Sequence, residues 1–184
     1  MIIWGGYHLD AFLGDGSRYS PTAGTWTSMT PTNALTPRGS HTAIWAGSEM
    51  IIWGGKNGSG NTGLNDGSCY NPTVDEWRAI PNGLPNTPAG RLHHTAVWTG
   101  SEMIVWGGDL NSHGSAFNDG GRYNPSSNTW AMVPTTGAPS PRTEHAAAWT
   151  GEEMIVCGGW NLITYYTDTW SYTPGQAMFL YQRP

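Results

Sequence analysis

Three arginines and three histidines recur as pairs in this 184-residue sequence: Arg38 with His41, Arg91 with His94, and Arg142 with His145. A guanidinium forks onto a carboxylate through two parallel N–H···O bonds, so arginines held at equivalent places could collect acidic groups. Imidazoles at equivalent places could in principle surround a metal ion, as three protein ligands do in catalytic zinc sites. A structural reading stands beside each. Residues that return at fixed spacing can serve the spacing itself, with each Arg bonding loop carbonyls of the next unit and each His too far from its copies to share one ion. No metal and no other cofactor is expected. His8, His93 and His113 stand outside this pattern, and the sequence gives them no partner.

Other chemistry-bearing residues also recur. Asp15, Asp66, Asp119 and Asp168 each stand four residues before a Tyr. The Asp-Gly pairs among them suggest turns in which the carboxylate bonds local backbone N–H groups. They are too sparse in oxygen ligands for a calcium loop. Glu49, Glu102 and Glu153 flank short turns, where they are expected to be exposed or to accept turn N–H bonds. No pair is set apart as the opposed carboxylates of glycoside hydrolysis. Nucleophile elbows, phosphate-cradling loops and His-Glu-x-x-His helices are absent from the sequence, so no catalytic residue is assigned.

These residues hang on a repeat. Gly-Gly follows an apolar run at Gly5-Gly6, Gly54-Gly55, Gly107-Gly108 and Gly158-Gly159, at intervals of 49, 53 and 51 residues. Tyr19, Tyr70, Tyr123 and Tyr172 follow in register, each with Pro two residues on. An aromatic stands seven residues after each Tyr: Trp26, Trp77, Trp130 and Phe179. The pattern resembles the kelch repeat, whose double glycine and spaced Tyr and Trp return about every 50 residues. The resemblance covers nearly the whole chain and implies an all-β fold of kelch-type β-propeller blades. Repeat boundaries fall near 1–37, 38–90, 91–141 and 142–184, within a single domain.

One unit can be read without the family. His94–Thr99 and Glu102–Trp106 form a hairpin around Gly100-Ser101, Gly120–Asn124 makes a third strand, and Asn128–Val133 a fourth. Such a sheet cannot bury both faces alone, and radial stacking solves this. Trp98, Trp106 and Trp130 then fill the space between sheets. Fifteen strands are expected, grouped three, four, four and four, the last being Gln176–Tyr181. By the resemblance, the first strand of each blade lies nearest the axis, and the first blade lacks it. An unpaired edge on Met1–Gly6 invites another chain, so a homodimer that closes the ring is expected. A strained four-bladed ring and a fragment of a longer propeller are the alternatives.

The resemblance also implies that Arg38, Arg91 and Arg142, with His41, His94 and His145, sit on one face near the axis. In kelch domains that bind peptides, arginines there contact acidic groups. The loops after Gly-Gly (Tyr7–Gly14, Lys56–Asn65, Asp109–Asn118 and Trp160–Thr167) vary most. Tyr7, Phe117, Trp160 and Tyr165, with Phe12 and Tyr166, could stack on sugars, grip a peptide, or pack on blade edges. The expected function is a non-catalytic scaffold binding a peptide, protein or glycan. An enzyme acting on a sugar or sugar acid, and a propeller fragment that only self-assembles, are the alternatives. Galactose oxidase-like copper chemistry would need a Tyr, Cys and His set, and Cys69 and Cys157 lack recognisable partners.

Composition narrows the classes further. With 8 Lys plus Arg and a net charge of −5, the chain lacks the basic clusters of a nucleic-acid surface. No run approaches the ~20 apolar residues that span a bilayer. The N-terminal stretch does not read as a signal peptide. The two cysteines occupy unlike repeat positions, so they are not expected to pair.

Overall fold

A computed structural model describes residues 1–58, 62–111 and 115–175. Their regular structure is all β: β1 (Ile2–His8), β2 (Ala11–Ser20), β3 (Thr25–Ser28), β4 (Thr42–Trp45), β5 (Met50–Trp53), β6 (Gly67–Asn71), β7 (Glu76–Ile80), β8 (Thr95–Trp98), β9 (Met103–Trp106), β10 (Gly120–Asn124), β11 (Thr129–Val133), β12 (Ala146–Trp149), β13 (Met154–Cys157) and β14 (Thr169–Tyr172). They form four antiparallel meanders, β1-β2-β3, β4-β5-β6-β7, β8-β9-β10-β11 and β12-β13-β14. The expected fifteenth strand, Gln176–Tyr181, lies outside the described residues, as do Phe179 and His113. No helix among the described residues is long and apolar enough to cross a membrane.

In the second and third blades the second strand is a short apolar run because both its faces are covered. Met50–Trp53 and Met103–Trp106 are buried at every position. Each run ends where the chain must turn with positive φ, at +71° and +86° for Gly54-Gly55. The register repeats in every sheet: Trp4 faces Gly16, Trp53 faces Gly67, Trp106 faces Gly120, and Cys157 faces Thr169.

The core lies between the sheets. Ile51, Trp53, Cys69 and Ile80 of the second blade interlock with Met103, Val105, Tyr123 and Trp130 of the third. Trp4 and Met29 of the first meet Ile52, Tyr70 and Trp77 of the second, and Trp106 and Val133 of the third meet Val156 and Tyr172 of the fourth. Trp4 meets Trp77 at 5.6 Å and Trp53 meets Trp130 at 5.4 Å between ring centroids, each across one seam. Inner strands β4, β8 and β12 lie side by side.

One expected loop is a hairpin instead. Tyr7 and His8 belong to β1, Ala11–Gly14 belong to β2, and Leu9 turns between them at φ +52°. Tyr7 faces Phe12 across the ladder, their rings 5.0 Å apart, and this aromatic pair extends the strands beyond the double glycine. The glutamates also differ from expectation. Glu49 pairs with Arg78 at 2.9 Å and Glu102 with Arg122 at 3.1 Å, so two of the three bind guanidinium groups of the third and fourth strands of their own sheets.

Candidate functional site

The arginines expected to line a cationic ring are inside the blades. Arg38, Arg91 and Arg142 are all 0% exposed. Arg38 donates from Nη1 and Nη2 to the two oxygens of Asp66 at 2.8 and 2.9 Å, and to the carbonyls of Thr36 and Gly54. Arg91 bonds Asp119, Gly107 O and Ala89 O. Arg142 bonds both oxygens of Asp168, Gly158 O and Ser140 O. Each guanidinium therefore ties the loop entering a blade to the double glycine and the third strand of that same blade. A guanidinium that is 0% exposed and bonded at each of its three nitrogens is turned away from any ligand at the surface. Three of the four aspartates expected to cap local turns, Asp66, Asp119 and Asp168, are the anions of these clasps. Asp168 is held below the usual carboxylate range, chiefly by Arg142.

Phe117 has a related place. The Arg91 guanidinium lies 4.5 Å from the centre of its ring, and that of Arg142 lies 4.2 Å from Tyr166. These two loop aromatics cover arginines. They are half-buried, and that face is not open to a sugar.

The histidines do not converge either. His41, His94 and His145 lie edge-on against Trp4, Trp53 and Trp106 of the preceding blade, with centroids 5.2 to 5.6 Å apart. Thr42 Oγ1 is 2.9 Å from His94 Nε2, and Thr95 Oγ1 is 2.8 Å from His145 Nε2. Burial, aided by the neighbouring arginine, lowers His145 to about 4 and His94 well below 6.5, so both are neutral seam residues. Among the described residues no group of three or more His, Cys, Asp or Glu side chains could hold a metal ion. Cys69 is buried and Cys157 exposed, and neither forms a disulfide.

What faces outward is the residue two places after each arginine. Backbone bridges join Gly39 to Lys56, Leu92 to Asp109 and Thr143 to Trp160, so the arginine loops and the post-glycine loops share one end of the blades. The second glycine of the preceding blade donates to each arginine carbonyl: Gly6 to Arg38, Gly55 to Arg91 and Gly108 to Arg142, all at 2.9 Å. Held on both sides, the chain crosses into the left-handed region at Ser40 (+55°), His93 (+53°) and Glu144 (+53°). A non-glycine residue there costs on the order of 1 kcal/mol, so the clasps over-determine it. The position is fixed while its side chain varies. The sequence carried that signal as the second x of Arg-x-x-His, between invariant flanks.

These side chains form the mouth of the blade array. His93 Nδ1 lies 3.3 Å from Asp109 Oδ1, and Glu144 N donates to His93 O across the seam at 3.2 Å. Asp109 is buried and raises the His93 pKa, with Glu144 adding to the effect and Lys56 opposing it. Beside Ser40 opens a cleft of about 590 Å³ lined by Gly6, Tyr7, Phe12, Gly39, Lys56, Asn57 and Gly58. Tyr7 is 60% exposed and rests on Phe12, giving the cleft an aromatic wall opposite the Lys56 segment. Trp160 and Tyr165 stack at 5.7 Å with planes 12° apart on the post-glycine loop of the fourth blade, Tyr165 outermost.

Four antiparallel meanders with interlocked aromatic seams and clasped inner loops define an array of β-propeller blades. The chain belongs to the kelch-repeat family: the KLHDC2/KLHL20/DRC7 Kelch-repeats domain model matches residues 1–179. Kelch domain-containing protein 3 of Rattus norvegicus is 28% identical over 173 residues, covering 86% of this chain and 44% of the relative. The leucine-zipper-like transcriptional regulator 1 homolog of Drosophila melanogaster is 31% identical over 176 residues, 91% of this chain and 18% of the relative. Tip elongation aberrant protein 1 of Schizosaccharomyces pombe is 27% identical over 191 residues, 94% of this chain and 16% of the relative. The chain thus spans less than half the length of these curated relatives.

Proposed function

We propose that this chain is a binding scaffold whose cleft between the first two blades takes an acidic, extended peptide of a partner protein. The observation that carries the reading is the exposed Tyr7 ring on Phe12, set beside Ser40 and Lys56 in a glycine-lined cleft. Gly39 and Gly58 let a ligand backbone approach closely, Tyr7 supplies a rigid apolar contact, and the Lys56 ammonium attracts a carboxylate. The clasps and seams hold these loops on a frame that loop changes do not disturb. Selection from a random peptide library tests it. Selected peptides should be enriched in Asp and Glu, and should lose binding to Tyr7→Ala and Lys56→Glu while those variants melt like the parent. Recovery of glycan ligands in place of peptides, or binders indifferent to both substitutions, would overturn it.

Self-association is supported by a separate observation. Trp77 and Trp130 are buried in seams, whereas Trp26, at the same repeat position in the first blade, is 49% exposed. A second copy that covers this face would bury it and close a larger ring. Sedimentation should show a concentration-dependent dimer that Trp26→Ser abolishes; a monomer at all concentrations rules it out.

A further inference from the structure

Asp109 is a buried carboxylate that the frame does not require. It follows the double glycine of the third blade, where Lys56 stands in the second and Trp160 in the fourth. All three bridge to the entering loop of their own blade, so the repeat uses this position through its backbone alone. Asp66, Asp119 and Asp168 each take a buried guanidinium. Asp109, only 2% exposed, meets the imidazole of His93 instead, whose Nδ1 lies 3.3 Å from Oδ1 and 3.5 Å from Oδ2. Oδ1 accepts no hydrogen bond among the described residues. A carboxylate taken from water and left short of donors costs stability. Kept where the repeat lets the side chain vary, it points to a ligand.

His93 stands between Asp109 and the mouth. Its carbonyl accepts from Glu144 N at 3.2 Å, and its backbone is set at φ +53°. With Nδ1–H turned to Asp109, the neutral ring presents the lone pair of Nε2 on its other side. Glu144, at the same φ of +53° on the fourth blade, adds an exposed carboxylate. The charged groups that face His93 are Asp109 behind it, Glu144 across the seam and Lys56 on the second blade. His94, next in the chain, is buried and neutral. The mouth is therefore bipolar: an ammonium on the second blade, and acceptors with a net negative charge on the third and fourth.

We infer that Glu144 and the His93–Asp109 pair form a subsite for a Lys or Arg side chain of the bound peptide. This subsite rests on the peptide reading above and extends it: the ligand sets an acidic residue at Lys56 and a basic one at a fixed distance along its chain. The ligand's cation donates to the Glu144 carboxylate and to His93 Nε2. Asp109 touches no ligand atom; it positions the ring and adds negative charge behind it. A proton on Nε2 removes that acceptor and cancels the charge of Asp109. Affinity for the basic side chain is therefore full above the His93 pKa and falls as pH drops through it, and the bound cation in turn makes His93 harder to protonate.

The probe is a random library of end-blocked peptides, selected in parallel on the whole chain, on Glu144→Lys and on His93→Gln. Peptides recovered on the parent should carry Lys or Arg at one constant spacing from Asp or Glu. Those recovered on Glu144→Lys should keep the acidic residue and lose the basic one. The best parent peptide, titrated by anisotropy, should bind about fivefold more weakly at pH 6 than at pH 8. His93→Gln should abolish that difference. Both substitutions lie at the mouth and outside the seams, so both variants should melt like the parent. Peptides that need Lys56 but show no basic residue at constant spacing overturn the subsite and leave the peptide reading standing. Basic residues that persist on Glu144→Lys, or a pH dependence that His93→Gln leaves unchanged, also overturn it. Recovery of no peptide at all sinks both.

Discussion

Thr42 Oγ1 sits 2.9 Å from Nε2 of His94, joining the inner strand of one blade to that of the next, while the imidazole's flank is closed by Trp53. Protonating such a ring places a charge in an apolar seam beside a buried guanidinium. His94 and His145 therefore titrate below the 6.5 of an unfolded chain, His145 at about 4, mainly through burial. Between these values the unfolded chain binds more protons, so stability is fully present above pH 6.5 and is lost as pH falls toward 4. His145 alone contributes on the order of 3 kcal/mol to that slope. His93, raised by Asp109, acts oppositely: its contribution is present below pH 6.5 and lost as pH rises through its folded value. It is only half-buried, so the three seam histidines, His41 being lowered by burial as well, decide the sign. Asp75 and Asp168, held below the usual carboxylate range, stay ionised across this window. Urea midpoints should fall from pH 7.5 to pH 5, and His145→Gln should flatten the fall. Equal midpoints at the two pH values would refute this.

The Arg91 clasp is a buried charge with all its partners in place, so removing the cation strands Asp119 and the carbonyls of Ala89 and Gly107. Arg91→Met should cost about 3–5 kcal/mol in urea unfolding. Arg91→Lys should recover little of it, because an ammonium cannot span three acceptors in the plane of a guanidinium or lie flat on Phe117. Full rescue by Lys would mean that charge alone, not the fork, holds the loop.

Much of this frame is legible in the sequence, since fourfold spacing of Gly-Gly and Tyr, with Trp in register in three of the units, leaves few other ways to fold. Strand positions follow from short apolar runs between glycines and prolines. What the residues do toward each other is harder to read. Arg38 and Asp66 are 28 residues apart, and nothing in either neighbourhood marks them as partners until the meander brings the third strand beside the entering loop. A recurrent Arg reads as a ligand ring or as a clasp, and the burial of Arg38, Arg91 and Arg142 separates the two. The hairpin at Tyr7–Phe12 was hidden for a different reason. Cross-strand ring pairing there overrides a stretch whose glycine and aspartate content reads as loop.

Gly108 and Gly100 offer a contrast within one blade. A Cβ at Gly108 would lie 2.5 Å from Leu92 O, on a backbone at φ +88° that is pinned to Arg142 O. At Gly100, φ is +103° and nothing lies within 4 Å. Gly108→Ala should therefore cost about 2 kcal/mol or more, from strain plus displacement of the neighbouring loop. Gly100→Ala should cost only the conformational part, about 1 kcal/mol. Thermal unfolding of the two variants in parallel measures the difference, and equal losses would mean the inner loop yields without resistance.

Cys157 occupies the repeat position of Trp4, Trp53 and Trp106, but it is exposed at the side of the fourth blade, whereas Cys69 is buried in the seam between the second and third. Burial pushes the Cys69 thiol up to about 11, so almost none of it is thiolate at pH 8. A thiol reagent at that pH should label one cysteine quickly and the second only on unfolding. Peptide mapping should place the fast label on Cys157, and the rate on Cys157→Ser should drop to that of unfolding. The same measurement reads the assembly. A second copy seated between the Trp26 face and the fourth blade would shield Cys157, so its labelling rate should fall as protein concentration rises, and Trp26→Ser should restore the dilute rate. Labelling that is independent of concentration would mean that this side of the array stays open in solution.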